Sequence, residues 1–159
     1  KSFLFCLPKI DKELQKETYF YPSFIKNVEE LTWLNKSKTE FLWIYEENES
    51  KKEDAESMMI EKLIQNPRVL NSSLDEISIL KYSGQERFHF LIKNFPLKKI
   101  VVLGIDPKKI GIQIQLKPYE IIQHLDYYFL QIDAPEKLTD LPKELKIALA
   151  QKLTQLSEI

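Results

Sequence analysis

Cysteine and glycine are both scarce in this chain of 159 residues, which holds one cysteine and three glycines. A single cysteine, Cys6, excludes an internal disulfide and a metal site built on several thiolates, and it fits a reducing compartment. The glycines Gly84, Gly104 and Gly111 cannot build a glycine-rich phosphate loop, so Walker and dinucleotide-binding motifs are absent. No apolar run approaches the ~20 residues that a membrane span requires. We therefore expect a cytoplasmic protein that makes no membrane contact.

The composition is that of a globular domain. Hydrophobic residues make up 43% of the chain and charged residues 30%, which is unlike a disordered sequence. The net charge of -1 provides no global attraction to nucleic acid, so any such contact is expected to be indirect or weak. We predict an N-terminal arm over residues 1–22 and a single domain over 23–159. Because the chain begins at Lys1 rather than Met, we expect residues to be missing before it.

Helix-like and strand-like patterns alternate along the chain. Short aromatic and β-branched runs predict strands at 41–45, 77–82, 99–103 and 127–132. Apolar spacing predicts helices at 24–34, 55–65, 85–94, 119–125 and 141–156. Residues 111–116 are predicted to be a strand or an extended turn. The alternation predicts an α/β fold with three layers, α/β/α, and a mostly parallel sheet of about four strands with 99–103 at its centre.

Few residues outside the strand ends could carry chemistry. His89 and His124 have no Cys, Asp or Glu at metal-ligand spacing, so we interpret both as surface or packed histidines. The serines lack the sequence of a nucleophile elbow. No cofactor and no metal site are therefore expected.

The end of the strongest predicted strand is the best candidate for a binding groove. Ligands bind at the carboxyl ends of parallel strands, and Gly104 would let a ligand approach the backbone there. Asp106 could act as a base, or it could cap the turn that Pro107 begins. Lys108 and Lys109 place positive charge at the same edge. A working site and a capped turn are both compatible with this pattern.

Two segments resemble the motifs of uracil-DNA glycosylases. Leu103-Gly104-Ile105-Asp106-Pro107 resembles their water-activating motif, GQDPY, and Phe129 to Thr139 resembles their second motif, HPSPLS. The resemblance makes Asp106 the candidate catalytic residue. The chain differs from the two glycosylase motifs at four positions, Ile105, Lys108, Ala134 and Glu136. Ala134 stands where these enzymes have the histidine that stabilises the uracil anion, and such electrostatic stabilisation is usually the largest catalytic contribution.

Over about residues 30–156 the chain also resembles a non-enzymatic family of that fold, the psi subunits of the DNA polymerase III clamp-loader complex. The strand, the Ala134-Pro135-Glu136-Lys137-Leu138 turn and the leucine-spaced helix resemble the end of that family. The resemblance implies a non-catalytic adaptor in DNA replication, with chi-like or clamp-loader subunits as protein partners. The alternatives are a uracil glycosylase using Asp106 and a phosphate-ligand binding module. The oligomeric state stays open. The candidate groove residues are Gly104, Asp106, Pro107, Lys108, Lys109, Ala134 and Pro135.

Four leucines in the last predicted helix recur at helical spacing. They are Leu145, Leu149, Leu153 and Leu156. We expect this stripe to pack on the domain's own sheet, and the alternative is a face that binds a partner.

Overall fold

A six-stranded mixed sheet forms the centre of the computed structural model, which describes residues 28–46, 54–66 and 74–159. The strands are β1 (Thr32–Asn35), β2 (Phe41–Glu46), β3 (Ser78–Tyr82), β4 (Lys99–Leu103), β5 (Ile121–His124) and β6 (Tyr127–Ile132). Their order across the sheet is β1-β3-β2-β4-β6-β5. The described ranges contain the helices α1 (Asp54–Gln65), α2 (Phe88–Asn94), α3 (Pro135–Leu138) and α4 (Lys143–Glu158).

The four predicted strands are present, and they form the parallel part of the sheet. β2 pairs in parallel with β3 and with β4, and β4 pairs in parallel with β6. The apolar strand β4 therefore lies inside the sheet, as predicted, and its four residues after Lys99 are all buried. Such continuous burial is expected of a strand whose two faces are both covered.

The predictions of about four strands and of a mostly parallel sheet are wrong, because an antiparallel strand lies at each edge. β1 pairs with β3, and β5 pairs with β6, both antiparallel. β1 overlaps the end of the helix predicted at 24–34, and before the strand the described part of that segment forms a short 3-10 turn, Val28–Glu30. Tertiary pairing with β3 thus overrides the helical spacing of the apolar residues.

β5 replaces the short helix predicted at 119–125. Tyr119 has a φ of 63°, a conformation that cannot continue a right-handed helix. The chain then runs straight through Ile121–His124, turns at Leu125 and Asp126, and returns as β6. Residues 111–116 form no strand, which agrees with the extended-turn alternative. The predicted N-terminal arm, 1–22, lies outside the described residues.

Two buried clusters cover the two faces of the sheet. On one face, α1 and α4 pack on β2, β4 and β6 through Ile60, Ile64, Leu149, Leu153 and Leu156. On the other face, α2 contributes Leu91, and the segment after β4 contributes Ile105, Ile110 and Ile112. Because β-strand side chains alternate between faces, Trp43 and Val101 point to the first cluster while Ile44 and Val102 point to the second.

The leucine stripe of α4 packs on the sheet for three of its four members. Leu149, Leu153 and Leu156 are at most 3% exposed, which confirms the expected packing for them. The expectation is wrong for Leu145, which is 39% exposed. Leu145 lies in the first turn of α4, and no residue of that turn is buried against the sheet.

Candidate functional site

The two segments that resemble glycosylase motifs meet at the carboxyl edge of the sheet. They are neighbours because β4 and β6 are adjacent parallel strands, and the Gly104 amide donates to the Ile132 carbonyl at 3.0 Å. Gly104 has a φ of +68°, and a Cβ built on it would lie 2.5 Å from the Ala134 Cβ. Only glycine fits this approach. The structure thus brings Gly104 and Ala134 so close together that no side chain larger than that of glycine fits at position 104.

Asp106 caps the short 3-10 helix that follows it at this edge of the sheet. The Asp106 carboxylate accepts a hydrogen bond from the Lys108 amide at 3.1 Å, and Pro107 is buried at the start of the 3-10 helix Pro107–Ile110. Lys108 and Lys109 are exposed. This geometry matches the capped-turn interpretation of the sequence, in which the aspartate satisfies a free backbone N–H.

Pro135 is the one candidate residue that lines a cleft of about 330 Å³ between α1, α3 and α4. The rim carries the cations Lys62 and Lys146, and the Lys146 ammonium donates to the Thr139 carbonyl at 2.6 Å. The cleft lies beside the predicted groove rather than over Gly104 and Asp106. Its lining residues are Met59, Lys62, Leu63, Asn66, Pro135, Leu138, Thr139 and Lys146.

A tyrosine–aspartate pair at the same edge was not predicted. The Tyr119 hydroxyl donates to the carboxylate of Asp133, the residue just before Ala134. Burial raises the pKa of Tyr119 to about 12, and the hydrogen bond and negative charge of Asp133 add to the effect. The two residues lie fourteen positions apart in no known motif, so the sequence carries no signal for their contact.

A buried glutamate fixes the turn that leaves β3. Glu86 is 0% exposed, and its two carboxylate oxygens accept from the amide and the hydroxyl of Ser83 at 2.7 and 2.8 Å. The Ser-x-x-Glu spacing is that of a capping box, so this pair was recognisable in the sequence. Because both oxygens are occupied within the turn, the pair has a structural role.

The remaining polar groups form no further constellation in the ranges that the structure describes. His89 and His124 are both exposed. No three His, Cys, Asp or Glu side chains lie together as metal ligands among the described residues. No helix in the described ranges is long and apolar enough to cross a membrane.

Comparison of the chain with protein-family models, with curated proteins and with solved structures finds no match.

Proposed function

We propose that this chain is a non-catalytic adaptor subunit of the psi type, which works through protein–protein contacts in DNA replication. Its domain would be a three-layer α/β/α member of the uracil-DNA glycosylase-like fold. Two features support that fold. The segments resembling the two glycosylase motifs follow adjacent parallel strands, and helices pack on both faces of the sheet.

The contact between Gly104 and Ala134 carries the proposal that the domain is non-catalytic. A glycosylase needs a polar group at the second motif to stabilise the departing base anion. Here the methyl group of Ala134 occupies that position and lies against Gly104, where an added Cβ would come within 2.5 Å. The second motif thus presents a methyl group, which can neither donate a hydrogen bond nor carry charge, at the position where a glycosylase needs its stabilising group.

The position of Asp106 supports the same proposal. Its carboxylate accepts from the Lys108 amide and is exposed, so it serves the turn rather than facing an enclosed pocket. A general base must reach the water that it activates in a site that holds the substrate. Asp106 provides a carboxylate, but this carboxylate is exposed and does not lie in a pocket that would enclose a substrate.

A phosphate-ligand binding module is the second candidate, and the cleft beside Pro135 favours it. Lys62 and Lys146 place two cations at the rim of an apolar cleft of about 330 Å³, which is at the small end of ligand pockets. Against this candidate, the Lys146 ammonium already donates to the Thr139 carbonyl. Calorimetric titration with inorganic phosphate and with a nucleoside triphosphate tests this candidate. Binding heat in the wild type that is absent in Lys62→Gln would favour the binding module over the adaptor.

A uracil-excision assay tests the non-catalytic part of the proposal. Purified chain is incubated with single-stranded and duplex DNA containing uracil, and released uracil is measured. We expect no release. Release that is lost in Asp106→Asn and retained in the control Lys109→Gln, a change in the same turn, would replace the adaptor with an enzyme.

A further inference from the structure

The two edges of the sheet differ in how they are protected from pairing. Exposed edge strands usually carry bulges, charges or prolines that prevent pairing with another chain. β1 has such a device, an irregularity in its register between Trp33 and Asn35. β5 pairs with β6 in unbroken register from Ile121 to His124, and it contains no Lys, Arg, Asp, Glu or Pro. In the described ranges, no strand pairs with the outer side of β5.

The backbone hydrogen bonds of β6 identify which groups of β5 face outward. The Tyr128 amide donates to the carbonyl of Lys98, which lies just before β4, and the Ile132 carbonyl accepts from the Gly104 amide just after β4. The even-numbered residues of β6 therefore bond toward β4. Odd-numbered residues therefore bond toward β5, where Ile122 and His124 are opposite Phe129 and Tyr127. The backbone N–H and C=O groups of the alternate residues, Ile121 and Gln123, consequently point away from the sheet.

We propose that β5 pairs antiparallel with β5 of a second copy of this chain, about a two-fold axis at Ile122. In this register Ile121 of one copy is opposite Gln123 of the other. Both outward-facing residues of each strand are then used, in two hydrogen-bonded pairs of two bonds each. Moving the two-fold axis by one residue, to Ile121 or to Gln123, would place a turn residue, Tyr119 or Leu125, opposite the strand. The pairing is isologous, as expected of a closed dimer, and it does not depend on the adaptor proposal.

Charge complementarity supports a second copy as the occupant. In the same register Glu120, just before β5, is opposite His124 of the other copy, and the two-fold axis repeats the pair. A carboxylate opposite an imidazole can hydrogen-bond to the neutral ring and pairs ionically with the protonated one. Among the described residues of its own chain, Glu120 makes an exposed contact with Lys117 at 3.9 Å, which is a weak competitor.

An exposed leucine at the hairpin tip adds to the case. Leu125 is 74% exposed and has a φ of 53°, which is uncommon for a leucine. In the proposed register Leu125 is placed next to Tyr119 of the other copy, so an apolar side chain that is exposed in the monomer would be covered in the dimer.

Sedimentation of the full chain, from micromolar to millimolar concentration, tests the proposal first. We expect a concentration-dependent dimer. Gln123→Pro removes an N–H that the monomer does not use, and an edge strand tolerates proline there. This change should raise the dissociation constant at least about tenfold, because both copies lose a donor. The control Gln123→Thr keeps the N–H and should dimerise as the wild type does. A monomer at every concentration, or a dimer unaffected by Gln123→Pro, would overturn the proposal.

Two further variants test the register without relying on proline. Glu120→His should weaken the dimer, and the double variant Glu120→His with His124→Glu should restore it, since only the exchanged pair regains complementarity. Ile122→Cys in a Cys6→Ser background should oxidise to a disulfide-linked dimer, because the residue would face itself at a disulfide-compatible distance. The control Gln123→Cys should not cross-link. Failure of the double variant to rescue, or equal cross-linking at both positions, would contradict the register.

Discussion

Truncating Leu149 to alanine removes a side chain from the contact between α4 and the sheet. Leu149 is 3% exposed and belongs to the cluster that includes Leu153 and Trp43. Leu→Ala at a buried site costs roughly 2–5 kcal/mol, from the lost transfer free energy and the cavity left behind. We place Leu149→Ala within this range, because its neighbours in the cluster are held by the central strands and have little freedom to collapse inward.

Leu145 provides a matched control on the same helix. It is 39% exposed, so Leu145→Ala makes the same chemical change without emptying a buried site. Surface substitutions of this kind stay within about 0.5 kcal/mol. Because both changes replace leucine by alanine within α4, their difference isolates the contribution of burial from that of helix propensity.

Urea denaturation of the wild type and both variants measures the difference. With an m value of about 2 kcal/mol/M, within the usual range for small proteins, Leu149→Ala should lower the midpoint by about 1–2.5 M. Leu145→Ala should leave the midpoint nearly unchanged, and m should be similar in all three proteins. Equal midpoints for the two variants would refute the packing of α4 on the sheet.

Two other predictions concern the carboxyl edge of the sheet. Gly104→Ala should destabilise the fold more than Gly111→Ala: both glycines have positive φ, a strain of roughly 1–3 kcal/mol for another residue, but only at Gly104 would the new Cβ also clash with Ala134. Thermal unfolding compares the two, and equal losses would contradict the close approach. Because Tyr119 has a folded pKa of about 12 against 10.0 for the free side chain, the unfolded chain should lose this proton first as pH rises. Its contribution to stability should therefore be full below pH 10 and decline toward pH 12. Tyr119→Phe should remove that decline, and an unchanged pH profile would show that Asp133 does not hold the hydroxyl.

The parallel part of the sheet could be predicted from the sequence because burial leaves a clear pattern there. The run from Ile100 to Leu103 is apolar at every position, as only a strand covered on both faces can be. The helix predicted at 55–65 is present as Asp54–Gln65, because apolar residues recur there at helical spacing. The face predicted from Met59 and Leu63 was not the buried one, since Ile60 and Ile64 are the residues fully buried.

The edge strands could not be predicted because their half-buried residues satisfy two patterns at once. The spacing of Ile122 and Leu125 fits a helix, but Leu125 lies in the turn of a hairpin and its side chain is exposed. Whether such a segment becomes a strand depends on the neighbouring strand that pairs with it, and this neighbour is a tertiary feature.

The residues of the candidate site could be predicted only where they belong to a local sequence motif. Gly104 and Ala134 could be named as candidates from short motifs, whereas the Tyr119–Asp133 contact depends on how the chain returns to β6.

The proposal that this chain is a psi-type adaptor is tested most directly by titration calorimetry with the clamp-loader complex and with its chi subunit from the same genome. We expect saturable binding of the full chain to these partners, with a defined stoichiometry. We expect no direct binding to single-stranded-DNA-binding protein, because in the family that the sequence resembles the chi subunit makes that contact. A folded chain that binds neither the clamp loader nor chi would contradict the account.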